Sequence, residues 1–137
     1  MIKQAAGFRE LEHTADWEIE VWGPDLAGLF EQAARGMYTL SGALLAPTPR
    51  CTQSLEVKAH DPESLLVSFL SELLYRGEQE GLGFDRFELH LQENQLSAQL
   101  EGAPILSWNK EIKAVTYHRM KIQETEKGLR VNIVFDV

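Results

Sequence analysis

The stretch Glu12-His13-Thr14-Ala15-Asp16 runs directly into the alternating segment WEIEVW at residues 17–22. Apolar side chains at every second position of that segment predict a half-buried strand. Asp16 therefore stands where a loop enters a sheet, a position at which a rigid scaffold can orient a polar side chain. A purely structural interpretation is also open, in which His13 and Thr14 satisfy backbone groups and Asp16 caps a turn.

Two amphipathic helices and a series of strands are predicted along the rest of the chain. The first helix runs from about Asp25 to Leu40 and the second from Asp61 to about Glu78, each with an aspartate N-cap. Strands are predicted at residues 51–59, 87–91, 96–100, 111–123 and 129–135, with hairpin turns at residues 93–95 and 126–128. Gly102 and Pro104 are predicted to mark a loop. The sequence thus predicts an α+β fold with a largely antiparallel sheet, in a single domain over residues 1–137.

Composition excludes several classes of protein. The formal net charge is −8, which argues against strong direct binding of nucleic acid through phosphates and fits binding of cations or of a basic partner. No apolar run approaches the roughly 20 residues of a membrane-spanning helix, so no membrane association is expected. The chain has one cysteine, Cys51, and the N-terminus lacks a signal-peptide core, which together favour a reducing cytoplasm.

The C-terminal half holds the remaining candidates for function. Asp136 is followed at once by the carboxylate of Val137 if that residue is the native end, and two adjacent anionic groups favour a hard cation such as Ca²⁺ or Mg²⁺. In the predicted strand at residues 111–123, Lys113 shares an unusually basic face that is either a solvated surface or a docking point. His118 falls on the more apolar face, where a hydrogen-bonded core histidine is the more ordinary outcome.

Three blocks resemble the archease family: FRELEHTAD at residues 8–16, IKAVTYH at residues 112–118 and the terminal VFDV at residues 134–137. The segment FLSELLY at residues 69–75 is similar to the family's second helix. The resemblance covers essentially the whole chain. Trp17 and Phe135 depart from it, being bulkier than expected at their positions, and neither is a proposed ligand.

The resemblance implies a non-catalytic accessory protein that activates the tRNA-splicing RNA ligase by promoting its guanylylation and multiple turnover. It also implies a divalent metal site, with Ca²⁺ expected first and Mg²⁺ or Mn²⁺ as alternatives. Carried over by position, the metal ligands are Asp16, Asp136 and a terminal oxygen of Val137, and the functionally important lysine is Lys113. Glu12 and His13 are carried only as neighbours in the same block, and no catalytic residue is implied.

Other functions stay open at this point. One is a chaperone-like modulator of a tRNA cytosine methyltransferase, a partner with which some archeases have been linked. Another is a metal-dependent hydrolase that uses Asp16 and Asp136 with His13 or His118.

Overall fold

The computed structural model describes residues 5–11 and 17–137, and these ranges form two helices and two antiparallel sheets. In chain order the elements are β1 Gly7–Leu11, β2 Trp17–Gly23, α1 Leu26–Ser41, β3 Leu44–Leu45, β4 Cys51–Lys58, α2 Pro62–Glu80, β5 Leu82–Gln92, β6 Gln95–Ser107, β7 Ala114–Val115, β8 Gln123–Thr125 and β9 Gly128–Asp136. The first sheet has the order β1-β2-β9, with β7 and β8 both pairing with β9. In the second sheet, β3, β4 and β5 all pair with β6. The predicted α+β class is confirmed.

Both helices begin and end at the residues that supply their caps. The side chain of Asp25 accepts a hydrogen bond from the amide of Gly28 at 2.8 Å, and that of Asp61 accepts one from Ser64 at 2.7 Å. Gly42 and Gly81 follow the two helices in the left-handed conformation, with φ of 70° and 68°. The predicted helices are confirmed, and α2 extends two residues further than expected. Neither helix has the length and apolar character needed to cross a membrane, and the described ranges contain no other.

One hydrophobic core joins the helices to both sheets. Phe30 of α1 and Phe69 of α2 stack with ring centroids 5.9 Å apart. Ile19 and Ile133 reach this core from the first sheet, and Leu100 reaches it from the second. Because the alternate side chains of each strand point away from the helices, the second sheet exposes a polar outer face that includes Glu56 and Glu88.

The hairpin β5–β6 forms most of the second sheet, and its second strand continues through residues that were predicted to be a loop. Its two-residue turn places Glu93 and Asn94 at φ of 48° and 60°, the left-handed pair that a tight hairpin requires. Gly102 and Pro104, predicted to mark a loop, instead lie inside β6. A Cβ added at Gly102 would stand 1.8 Å from the carbonyl oxygen of Gly83, so glycine is needed there for the close approach of β5 and β6.

The predicted strand over residues 111–123 is wrong. Within these residues, two short strands pair with β9. In β7, Ala114 lies opposite Asp136, and in β8, Gln123 lies opposite Arg130. Nine positions separate Ala114 from Gln123 but only six separate Asp136 from Arg130, so three extra residues must leave the sheet. They do so in a turn in which the amide of Met120 donates a hydrogen bond to the carbonyl of Tyr117 at 3.0 Å. Arg119, inside this turn, has a φ of 53°. The faces predicted for a continuous strand therefore do not exist.

Candidate functional site

The start of β2, the end of β9 and the start of β7 meet at one end of the first sheet. Trp17 opposes Phe135, and Ala114 opposes Asp136. Trp17 and Phe135, the two residues that are bulkier than the resemblance leads us to expect, are therefore cross-strand neighbours, and their rings add to the packing at this end. Three predicted site residues, Glu12, His13 and Asp16, lie outside the described residues.

Asp136 is exposed at the end of β9 and faces a cavity of about 350 Å³. Thr116 and His118 also line this cavity. Thr116 donates hydrogen bonds to the carbonyl of Val134 from both its amide, at 3.0 Å, and its hydroxyl, at 3.1 Å, and its Oγ1 accepts one from the amide of His118 at 3.2 Å. These bonds hold the chain against β9 as it leaves the sheet, and they bring His118 to the same cavity as Asp136.

The placement of His118 differs from the prediction. The side chain is exposed, because the chain leaves the sheet after Thr116 and no longer alternates between two faces. Val137, by contrast, is half-buried and packs against the core, which fixes the backbone that follows Asp136.

Asp136 is a candidate oxygen donor for a cation among the described residues. Asp136 has a carboxylate that makes no hydrogen bond or ion pair within residues 5–11 and 17–137. Carboxylate oxygens are the donors that Ca²⁺ and Mg²⁺ prefer. Within the same ranges, no three His, Cys, Asp or Glu side chains group closely enough to hold a metal ion. The exposed carboxylate fits a hard cation. Further ligands would have to include groups other than the His, Cys, Asp and Glu side chains of these ranges, such as Asp16 or the terminal carboxylate of Val137.

Lys113 connects this end of the sheet with a second cavity. Its amide donates to the carbonyl of Asp136 at 2.8 Å, while its exposed side chain lines a cavity of about 450 Å³ between α1 and α2. We refer to it as the Lys113 cavity. Its wall also contains Tyr38, whose pKa is raised by burial so that the phenol stays neutral. Lys113 thus lies on the rim of a cavity, and the basic sheet face predicted for it is wrong.

The segment before Lys113 is fixed by contacts that sequence reasoning missed. The amides of Asn109 and Lys110 both donate to the carbonyl of Ser41, at 2.9 and 3.1 Å, and so satisfy the C-terminal end of α1. The ammonium of Lys110 lies 3.5 Å from the centroid of the Trp17 ring, a cation–π contact. Trp108, Glu78 and Glu111 also line the Lys113 cavity. Their proximity depends on the tertiary fold, and no local pattern signals it.

Comparison with known proteins gives consistent results. The sequence model of the Archease protein family (MTH1598/TM1083) matches residues 8–137. Protein archease of Thermococcus gammatolerans is 33% identical over 125 residues, covering 85% of this chain and 88% of that protein. Protein archease of Methanosarcina barkeri is 32% identical over 146 residues and both chains are covered completely.

Two solved structures share the fold. A crystal structure of an archease, described as a possible chaperone, from Thermotoga maritima matches with a TM-score of 0.72 at 24% identity, covering 94% of this chain and 96% of that one. The solution structure of Methanobacterium thermoautotrophicum protein 1598 matches with a TM-score of 0.69 at 23% identity, covering 96% and 99%. Since the family match spans nearly all of the sequence and the relatives align over most of their own length, this chain belongs to the archease family.

Proposed function

We propose that this chain is a non-catalytic activator of the tRNA-splicing RNA ligase and promotes the ligase's guanylylation and multiple turnover in tRNA splicing and RNA repair. Membership of the archease family supports the proposal. The observation that carries it is the 2.8 Å hydrogen bond from the amide of Lys113 to the carbonyl of Asp136. That bond joins two residues, carried over from the family as the activating lysine and a metal ligand, at one exposed end of the molecule.

The metal site proposed here consists of Asp16, Asp136 and, where Val137 ends the protein, its terminal carboxylate. The pairing of Trp17 with Phe135 supports it, because the strand that Asp16 precedes runs beside the strand that Asp136 ends. A bound Ca²⁺, or Mg²⁺ or Mn²⁺ in its place, would neutralise the carboxylates. Glu12, His13 and His118 are proposed as supporting residues, and His118 already shares a cavity with Asp136.

Lys113 is proposed to contact the partner directly. Its side chain is exposed and makes no ion pair or hydrogen bond with the residues described in the structure. An ammonium without an internal partner can approach an acidic or phosphate group on another molecule without first breaking an internal contact. The ligase activated in this way would be a cytoplasmic partner.

A single-turnover experiment tests the proposal. The RNA ligase of the same organism is mixed with GTP and metal, with and without this chain, and formation of the covalent guanylate is followed. We expect the chain to accelerate guanylylation and to support repeated ligation. Equal ligase kinetics with and without it, across Ca²⁺, Mg²⁺ and Mn²⁺, would contradict the proposal.

The same preparation separates the other two functions. Stimulation of a tRNA cytosine methyltransferase, with no effect on the ligase, would identify the methyltransferase as the partner. Hydrolysis of a panel of phosphoesters by the chain alone with added metal would identify an enzyme.

A further inference from the structure

The Lys113 cavity has the features of a binding pocket. Its volume of about 450 Å³ lies within the range usual for ligand and anchor-residue sites. Leu73 and Leu74 of α2, with Ile105 and Ile112, give it apolar walls. Its rim carries charged side chains, including Lys113. A pocket with an apolar interior and a charged rim suits a side chain that has an apolar body and a charged neighbour.

An exposed apolar surface continues from the rim of this cavity. Trp108, which lines it, is 41% exposed, and Leu106 on the same strand end is 61% exposed. Large apolar side chains grouped at one place on a surface mark interaction sites more often than isolated ones do. Two separate features, a cavity and an apolar surface, thus lie side by side.

The charges on the rim indicate the chemistry of the occupant. Glu78 and Glu111 are exposed and, within the described ranges, neither makes an ion pair or a hydrogen bond through its side chain. Against the single ammonium of Lys113 they leave one negative charge in excess, on a chain whose formal net charge is already −8. Complementary charges favour a basic group beside these carboxylates and increase the rate of encounter.

We propose that the Lys113 cavity and the adjoining apolar surface receive a segment of the partner protein that inserts one large apolar side chain and presents an adjacent basic one. The apolar side chain enters between α2 and Trp108, and the basic one pairs with Glu78 or Glu111. This inference rests on the proposed function, since it takes the partner to be the RNA ligase. Because Lys113 is on the rim and its amide binds Asp136, the docked segment holds the partner next to the candidate metal site.

Gly77 gives a direct way to fill the cavity. It lines the cavity from α2, and a Cβ added there would be 3.6 Å from both the Ile105 side chain and the Trp108 ring, an ordinary van der Waals distance. Gly77→Ala therefore fits the folded structure and favours the helix. Gly77→Leu extends further into the cavity and should compete with the inserted side chain.

The experiment measures the affinity of the full chain for the ligase by calorimetric titration and, in parallel, the rate of guanylylation. We expect Gly77→Leu, Trp108→Ala and Glu78→Lys each to weaken binding by about tenfold or more, as substitutions at an interface hot spot do. Gly77→Ala controls for the change in helix propensity. Glu56→Lys, on the outer face of the second sheet, makes the same charge change away from the cavity and should bind normally. Circular dichroism and melting temperature establish that each variant is folded.

Each outcome decides a different point. Wild-type affinity in all the cavity variants overturns the docking site, even if the wild-type chain activates the ligase. Cavity-dependent binding without any acceleration of guanylylation supports the docking site and contradicts the proposed function. Absence of binding by the wild-type chain overturns both. A weakening by Glu78→Lys that persists unchanged in high salt would contradict the assigned charge pairing, since exposed ion pairs are screened.

Discussion

The hairpin β5–β6 and the segment at residues 108–122 follow each other directly in the chain and differ in how regularly they are built. The hairpin pairs over ten positions, with a single register shift between Phe84 and Arg86, and turns at Glu93 and Asn94. The segment contains two residues of strand, leaves the sheet for a turn and places Lys113 on a cavity rim. The regular region builds the second sheet, whereas the irregular one carries Trp108, Glu111, Lys113 and His118, which we propose to act on a partner or to support a metal site.

The two regions also differ in how their charged side chains are engaged. Beside the hairpin, Arg50 binds Asp85 at 2.6 Å and Glu101 at 2.7 Å, so these charges satisfy one another. Lys113 and Glu111 make no such contact with the residues described. Charges already paired stabilise their own surroundings, and unpaired charges beside a cavity are available to a second molecule. This contrast predicts that substitutions in the hairpin alter stability, whereas those in the segment alter binding.

The largest expected effect on the free energy of unfolding is that of Gly102→Ala. The added Cβ would lie 1.8 Å from the Gly83 carbonyl oxygen, so β5 and β6 must separate locally. We expect a loss of about 3 kcal/mol, the upper end of the cost of overpacking. Denaturant unfolding monitored by circular dichroism measures this loss.

Gly81→Ala is the control, because no atom would lie within 4 Å of the added Cβ and only the φ of 68° opposes the substitution. We expect a loss of about 1 kcal/mol for this variant. Equal losses in both variants would contradict the steric argument.

The second effect concerns the candidate metal site beside the irregular region and depends on metal. If Asp136 is a ligand, a cation at 100 times its dissociation constant should stabilise the wild-type chain by about 2.7 kcal/mol by mass action. Asp136→Asn and Asp16→Asn should abolish that gain while leaving the metal-free stability nearly unchanged. Thermal unfolding with Ca²⁺, Mg²⁺, Mn²⁺ or a chelator provides the measurement. Glu88→Gln, an exposed carboxylate on β5, should retain the full gain.

Chain extension gives a second test of the same site. Residues added after Val137 replace its carboxylate by an amide and should weaken metal binding if that carboxylate is a ligand. Unchanged affinity in the extended chain would remove only Val137 from the site. Wild-type affinity in both Asn variants would refute the site as a whole.

The sequence predicts the regular parts of this structure well and the irregular parts poorly. The helices are predictable because Asp25 and Asp61 cap them locally and the apolar periodicity is strong. The structure of residues 111–123 is not predictable, because the sequence continues to alternate where three residues leave the sheet. Only the register of β7 and β8 against β9 shows that they do. The cavity is unpredictable for a similar reason. Trp108 and Gly77 are 31 positions apart in sequence, and no local pattern brings them together.

The third effect is small and depends on pH. Hydrogen bonds from Arg50 hold the pKa of Asp85 below its ordinary value. A lowered folded-state pKa stabilises the fold above the unfolded pKa of about 3.9, and this contribution is lost as the pH falls through the folded value. Because the Asp85 side chain is 45% exposed and solvent screens its charge, we expect Asp85→Asn to cost roughly 0.5 kcal/mol at pH 7. The difference from wild type should shrink below about pH 4. A difference that stays constant from pH 7 to pH 2.5 would show that the pair has another role.

The smallest expected effect on stability is that of Lys113→Ala, and it separates the two regions most sharply. The side chain is exposed and makes no ion pair or hydrogen bond with the described residues, so the free energy of unfolding should stay within about 0.5 kcal/mol of wild type. The 2.8 Å bond to Asp136 comes from the amide and survives the substitution, which leaves the backbone at the candidate metal site in place. Stimulation of guanylylation should nevertheless be lost.

Lys58→Ala is the control variant. It removes the same charge from the end of β4 and should stimulate guanylylation normally. Calorimetry and the guanylylation assay on the same samples compare the two variants. A large fall in the melting temperature of Lys113→Ala would mean that Lys113 stabilises the fold. It would contradict, at Lys113, the distinction between a hairpin whose substitutions alter stability and a segment whose substitutions alter binding.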